Sequence, residues 1–246
     1  MDIIKQITKS RQILKEVLSD EYNTDNLPIY DINEIDTLFT LESTKENPYS
    51  ILGQGNACNF SVNHRILKNH KLHILYYNFQ RNNKTKVTKT IIDKILKLYN
   101  DNTLNPTDNV IIILNENIKD TIKKLNDTLN LLLKENDFDM KQIENDMKKN
   151  NIKLERKHFR NVFMFDIKTL QFNILEHKFV PKHEVIRDND TIQQILTNCN
   201  CSIDQLPIIS KNDPVSKVKM CIHGDLCKIT RNSKTSGDYI YYRVCR

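Results

Sequence analysis

The chain has no apolar run long enough to cross a membrane. Its longest, about Val110 to Leu114, falls far short of the ~20 residues that a spanning helix needs. No secretory leader is expected either, because Met1 to Ile7 carries Asp2 and Lys5 and opens an amphipathic pattern. A soluble, intracellular protein without a membrane partner is expected. Glycine and proline number only 4 and 6, and alanine is scarce too. Asn, Lys and Ile abound, a usage that follows AT-rich codons and speaks of the source genome rather than of mechanism. A large excess of one charge sign is also absent. Lys+Arg outnumber Asp+Glu 37 to 31, giving a net charge of +6 and a pI near 8.9. That balance suits a phosphate backbone nearby but excludes a histone-like excess. The paired CxxC spacing of a structural zinc site is missing. Cys199, Cys201 and Cys221 with His223 or Cys227 form the one group open to a zinc reading, and their CxC and CxH spacing is poor. Each of the six cysteines (Cys58 and Cys245 complete the set) occupies an apolar slot in its local pattern. Buried thiols acting as small hydrophobes are expected, with no metal and no cofactor.

What is present is enough apolar material, 39% of 246 residues, for one large core or two small ones. Helical spacing of apolar residues predicts helices over 3–18, 33–42, 87–99 and 117–133. LHILYYNF at 72–79 and NVIIIL at 109–114 read as strands, the second buried on both faces. Strand, helix, strand, helix predicts a parallel pair with a right-handed crossover. Residues 43–63 read as a loop, and the charge-rich 134–160 as an exposed, partly helical insertion. NVFMF at 161–165 and LQFNIL at 170–175 read as further strands. Beyond them come a helix capped near Asp188 or Asp190, a short extended QLPII at 205–209, a turn at DPV (213–215), and strands at 226–231 and 239–245. The expected fold class is α+β: an N-terminal α/β domain over 1–175, then a small β-rich module over 176–246.

One series in that last module is specific. HKFVPKH (177–183), QLPII (205–209), DPV (213–215), Gly224 with Asp225, KITR (228–231) and SKTSGDYIYYRV (233–244) follow in one order at one set of spacings. The series resembles the RNA polymerase fifth subunit of eukaryotes and its shorter archaeal counterpart. The residues that carry the likeness are His177, Val180, Pro181, His183, Leu206, Pro207, Asp213, Pro214, Val215, Gly224, Arg231, Ser233, Thr235, Gly237, Tyr239, Tyr242 and Arg243. Met220, Cys221, Ile222 and His223, then Asn232, Lys234 and Asp238, depart from the family pattern.

The resemblance implies a non-catalytic subunit of a multisubunit DNA-directed RNA polymerase. The C-terminal module would be the assembly domain, docking on the largest subunit. The N-terminal domain would be the eukaryotic-type jaw, with the outline of a restriction endonuclease, lying beside downstream duplex DNA. Such a polymerase sits in the nucleus if cellular, and in a cytoplasmic factory or virion if encoded by a large DNA virus. Contact with DNA would be electrostatic and blind to sequence. Arg81, Lys84, Lys86 and Lys89 form one candidate group for it, and Arg65, Lys68 and Lys71 another.

Two other readings stand beside this one. Asp166, Glu176 and Lys178 follow D-x₉-E-x-K, the arrangement by which some nucleases hold Mg²⁺ from adjacent strands and position a water. A free-standing basic DNA-binding protein is the other. The spacing of Tyr239, Tyr241 and Arg243 puts them on one strand face and Tyr242 on the other, which favours packing over base stacking. HKFVPKH itself reads as a boundary, with Pro181 removing a donor just before a strand.

Overall fold

The computed structural model describes residues 2–41, 47–80, 86–233 and 237–246. They form two units, each with its own sheet. Unit 1 comprises Met1–Asn150 and Phe159–Phe172, and unit 2 comprises Asn151–His158 and Asn173–Arg246.

Unit 1 opens with α1 (Ile3–Val17), whose cap Asp2 accepts from the Ile4 amide at 3.3 Å. A short strand β1 (Tyr22–Asn23) follows, then α2 (Ile32–Thr40). Asp31 and Glu34 start α2 with a reciprocal capping box, at 2.8 and 2.7 Å. The remaining elements are β2 (Phe60–His64), β3 (Lys71–Tyr77), α3 (Thr90–Asn100), β4 (Asn109–Leu114), α4 (Asp120–Glu135), α5 (Lys141–Lys149) and β5 (Val162–Asp166). The sheet runs in chain order from β1 to β5, antiparallel as far as β3 and parallel from β3 to β5. β4 is buried along its whole length. Its even positions carry one core: Val110, Ile112 and Leu114 pack with Leu75, Tyr77 and Met164 against Ile91, Ile95 and Leu98 of α3 and Ile122, Leu129 and Leu133 of α4. On the opposite face, Ser10 of α1 meets the hydroxyl of Tyr76 at 2.8 Å. Helices thus cover both faces of the parallel strands.

Unit 2 contains β6 (Lys182–Ile186), α6 (Asn189–Asn198), β7 (Ile208–Ile209), α7 (Pro214–Val218), β8 (Leu226–Ser233) and β9 (Gly237–Cys245). The sheet order is β6-β8-β9-β7, with β7 and β9 the parallel pair. One face packs Leu226 against Ile192 and Leu196 of α6. The other buries Ile209, Cys221, Cys227, Ile229 and Cys245 together.

The structure corrects several expectations. Residues 170–175 are not a strand. Asp166 and Asn173 each accept a backbone amide two residues on, at 3.0 and 3.1 Å, and so begin 3₁₀ turns at Ile167–Leu170 and Ile174–Glu176. The loop expected over 43–63 contains most of β2, which pairs with β3 in register Phe60↔Ile74 to Asn63↔Lys71. The charged insertion is anchored rather than exposed throughout: Ile143, His158, Phe159 and Arg160 are buried. The Arg160 guanidinium lies over Tyr99 at 4.9 Å and Phe138 at 5.3 Å. Cys199 is exposed and Cys201 half-buried, since both lie past the last turn of α6 that would have covered them.

Candidate docking and nucleic-acid surfaces

HKFVPKH begins with a turn closed by the amide of Val180, which donates to the carbonyl of His177 at 2.8 Å. His177 is exposed, and its Nδ1 accepts from the Phe179 amide at 3.3 Å. His183 Nδ1 donates to the Pro181 carbonyl at 2.7 Å. Pro181 immediately precedes β6, where no amide is required. These bonds fix the loop so that Phe179 projects at 81% exposure.

The rest of the series has equally local physical causes. Asp213 caps α7, accepting from the amides of Val215 at 2.9 Å and Ser216 at 3.4 Å, with Pro214 in the first turn. Val215 is buried beneath it, and Leu206 packs with the α6 core. The Pro207 carbonyl accepts the Val244 amide at 2.9 Å and so brings β7 beside β9. Gly224 has φ +90°, a left-handed conformation for which glycine is suited, and its amide donates to the Cys245 carbonyl at 3.0 Å. Gly237, φ +69°, opens β9. Arg231 and Arg243 lie over the Tyr241 ring at 5.1 and 5.8 Å, and Tyr239 stacks on Tyr241 at 6.0 Å. Tyr242 packs on the other face, with the α6 core. Ser233 pairs with Gly237 through the backbone, and Thr235 and Lys234 lie outside the described residues. Unit 2 keeps Phe179, Ile208, Tyr239 and Ile240 exposed.

A buried ionic centre supports this module. Asp225 is 1% exposed and faces His158 Nε2 at 3.1 Å and Arg187 Nε at 3.5 Å, while the Ile222 amide donates to it at 3.0 Å. Spacing gave no sign of His158, which lies 67 residues before its partner.

The basic candidates of unit 1 do not form one surface. Arg65, Lys68 and Lys71 precede or begin β3, whereas Lys86 and Lys89 follow it, so the two groups lie at opposite ends of that strand. Arg65 is half committed: Nε donates to the Ser19 carbonyl at 2.7 Å, and Nη2 stands 3.8 Å from Asp25. Lys68 and Lys71 border a cavity of about 560 Å³ with Asn105 and Asp139. Lys86 and Lys89 are exposed where the chain enters α3. Arg81 and Lys84 lie outside the described residues. Sequence reading missed exposed Lys119, which follows β4 at the same carboxyl end of the parallel strands as Lys86 and Lys89. Only the parallel pairing reveals that company.

The nuclease arrangement is overturned. Glu176 lies in a 3₁₀ turn and Lys178 in the loop after it, not on a strand adjacent to Asp166. Asp166 is buried at the end of β5 with its carboxylate holding the Lys168 amide. Cys221 and Cys227 have their sulfurs 3.9 Å apart inside an apolar core, and burial pushes the Cys245 thiol up to about 12. Among the described residues no three His, Cys, Asp or Glu side chains gather as a metal site.

Fold and surfaces thus define an α/β unit with basic strand ends, joined to a small β module that keeps apolar side chains exposed. The family described as RNA polymerase Rpb5, C-terminal domain, matches residues 172–245, nearly the whole of the continuous part of unit 2. DNA-directed RNA polymerase subunit Rpo5 of Methanosphaera stadtmanae is 40% identical over 77 residues, 31% of this chain and 99% of that relative. The Rpo5 of Methanosarcina acetivorans is 40% identical over 74 residues, 30% of this chain and 94% of the relative. The Dictyostelium discoideum subunit rpabc1 of RNA polymerases I, II and III is 38% identical over 81 residues, 33% of this chain and 41% of the relative. The chain belongs to this Rpb5/Rpo5 family of RNA polymerase subunits, as the series in the last module led us to expect. The reading as a free-standing DNA-binding protein gives way to it.

Proposed function

We propose that this chain is a non-catalytic subunit of a DNA-directed RNA polymerase, and that unit 2 docks it on the largest subunit. The observation that carries the reading is the coincidence of the family match, residues 172–245, with the self-contained sheet of unit 2. Docking uses Phe179, Ile208, Tyr239 and Ile240, which one chain alone leaves in water. Unit 1 serves as the jaw. Lys86, Lys89 and Lys119, with Arg81 and Lys84, meet phosphates of downstream duplex, whereas Lys68 and Arg65 lie before the other end of β3. A polymerase translocates over every sequence, so charge without base readout is the suitable chemistry.

Affinity capture of the tagged chain followed by mass spectrometry tests the assembly. The two largest polymerase subunits are expected among the captured proteins, and the double variant Phe179→Ser, Ile240→Ser is expected to lose them while remaining folded. Capture without any polymerase subunit would refute the reading. For the DNA contact, assembled polymerase carrying Lys86→Glu and Lys89→Glu should bind downstream duplex with a log–log salt slope shallower by about 1–2. An unchanged slope would remove these lysines from the interface.

A further inference from the structure

Unit 1 contains a cavity of about 270 Å³ between α1, the segment after β1, and β2. Arg11 lines it. This side chain is 8% exposed, and no carboxylate among the described residues pairs with it. Its Nη1 donates to the Cys58 carbonyl at 2.7 Å, its guanidinium lies over Phe60 at 4.4 Å and Tyr30 at 5.1 Å, and its Nε has no hydrogen-bond partner. Asn59 stands on the same wall. Its Oδ1 accepts the Tyr76 amide at 2.7 Å, which turns Nδ2 the other way, and Nδ2 also lacks a partner. A buried cation without a carboxylate is costly, and so are buried donors without an acceptor; both residues that carry them line this cavity. The rings over Arg11 recover part of that cost but supply no acceptor in its plane.

The same cavity runs along an unfinished sheet edge. β1 pairs with β2 only at Tyr22↔His64 and Asn23↔Asn63, so Phe60, Ser61 and Val62 have no strand beside them on the side away from β3. All three line the cavity. We propose that this is a peptide-docking site: an extended segment of a partner protein continues β1 along the free edge of β2 and sets an acidic side chain against Arg11 and Asn59. Strand addition satisfies the edge, and the alternation of a strand directs every second side chain inward. A carboxylate fits better than a phosphate. It carries one charge to match one cation, its two oxygens lie in one plane with the guanidinium, and the rest of the wall is uncharged: amides, the Tyr30 and Ser61 side chains, and apolar groups. The inference is independent of the docking and DNA surfaces proposed above, which use other residues.

NMR titration of the full ¹⁵N-labelled chain tests it. The probes are a capped pentapeptide of Val and Thr with a central Asp, the same peptide with Asn, sodium acetate, and inorganic phosphate. The Asp peptide should shift Arg11 Nε–H and the amides of Ser61 and Val62 together, and bind at least about tenfold more tightly than the Asn peptide. Arg11→Met should abolish the difference between the two peptides. If that variant fails to fold, the comparison of the two peptides on the unaltered chain decides alone. Equal binding of the Asp and Asn peptides would overturn the proposal. Acetate matching the Asp peptide without shifts at Ser61 and Val62 would overturn the strand pairing. Phosphate binding more tightly than acetate would overturn the carboxylate assignment.

Discussion

Side chains whose partners lie far away in sequence determine much of this molecule, and those are the residues that sequence spacing hides. His70 is one. It is 3% exposed, edge-on to Phe159 at 5.2 Å, with its ring also beside His64 at 5.7 Å. Burial, then the charge of His64, pushes its imidazole down to about 4. An unfolded histidine titrates near 6.5, so between about 6.5 and 4 the unfolded chain binds the extra proton. The contribution is therefore fully present above about 6.5 and is lost as pH falls toward about 4. Over that window we expect unfolding free energy to fall by about 3 kcal/mol, read from urea melts at successive pH values. His70→Gln should lower stability at pH 7 and flatten that slope. An equally steep slope in the variant would assign the effect to other groups. Its neighbours Asn69 and Lys71 are polar, so spacing gives no sign of this burial, and only the fold places it in the core.

At the scale of elements, legibility followed how much each segment depended on itself. β4 was readable to the residue, because NVIIIL is apolar on both faces and no other environment suits it. The α2 capping box and the Asp213 cap of α7 involve residues no more than three apart, and at 213–215 the sequence showed the turn though not the helix that it starts. β2 was not readable: FSVNH alternates weakly, and its strand character comes from β3 rather than from its own composition. The failure at 170–175 has the opposite cause, since apolar alternation was present but Asp166 and Asn173 captured the backbone into turns. Gly55 shows how tightly the approach to β2 is built. It has φ +89°, and a Cβ there would lie 3.1 Å from Phe79 Cβ and 3.3 Å from the Phe39 ring. Gly55→Ala should therefore destabilise unit 1 by about 1–3 kcal/mol, measured by chemical denaturation. A neutral result would show that the 3₁₀ turn Asn56–Cys58 can shift without cost.

For the whole molecule, the informative feature is how the chain is threaded. Residues 151–158 belong to unit 2, the chain returns to unit 1 for 159–172, and only then does the matched module begin. The family match therefore omits a part of the unit that it identifies. That early segment is attached by a buried pair, His158 with Asp225, and by surface bonds from Lys153 to Asp190 at 2.5 Å and from Asn189 to Glu155. The surface bonds contribute little, so the buried pair should dominate. Removing His158 takes one hydrogen bond from the buried Asp225 carboxylate and leaves Arg187 as its cation. Leaving a buried charged group short of a hydrogen bond in this way costs about 3 kcal/mol. His158→Ala should accordingly speed hydrogen exchange of the Cys227 and Ile229 amides in β8 by about 100-fold. His158→Gln, which can still donate to Asp225, should recover part of the protection. Unaltered exchange in His158→Ala would mean that 151–158 merely rests on unit 2, and that residues 173–246 hold their sheet without it.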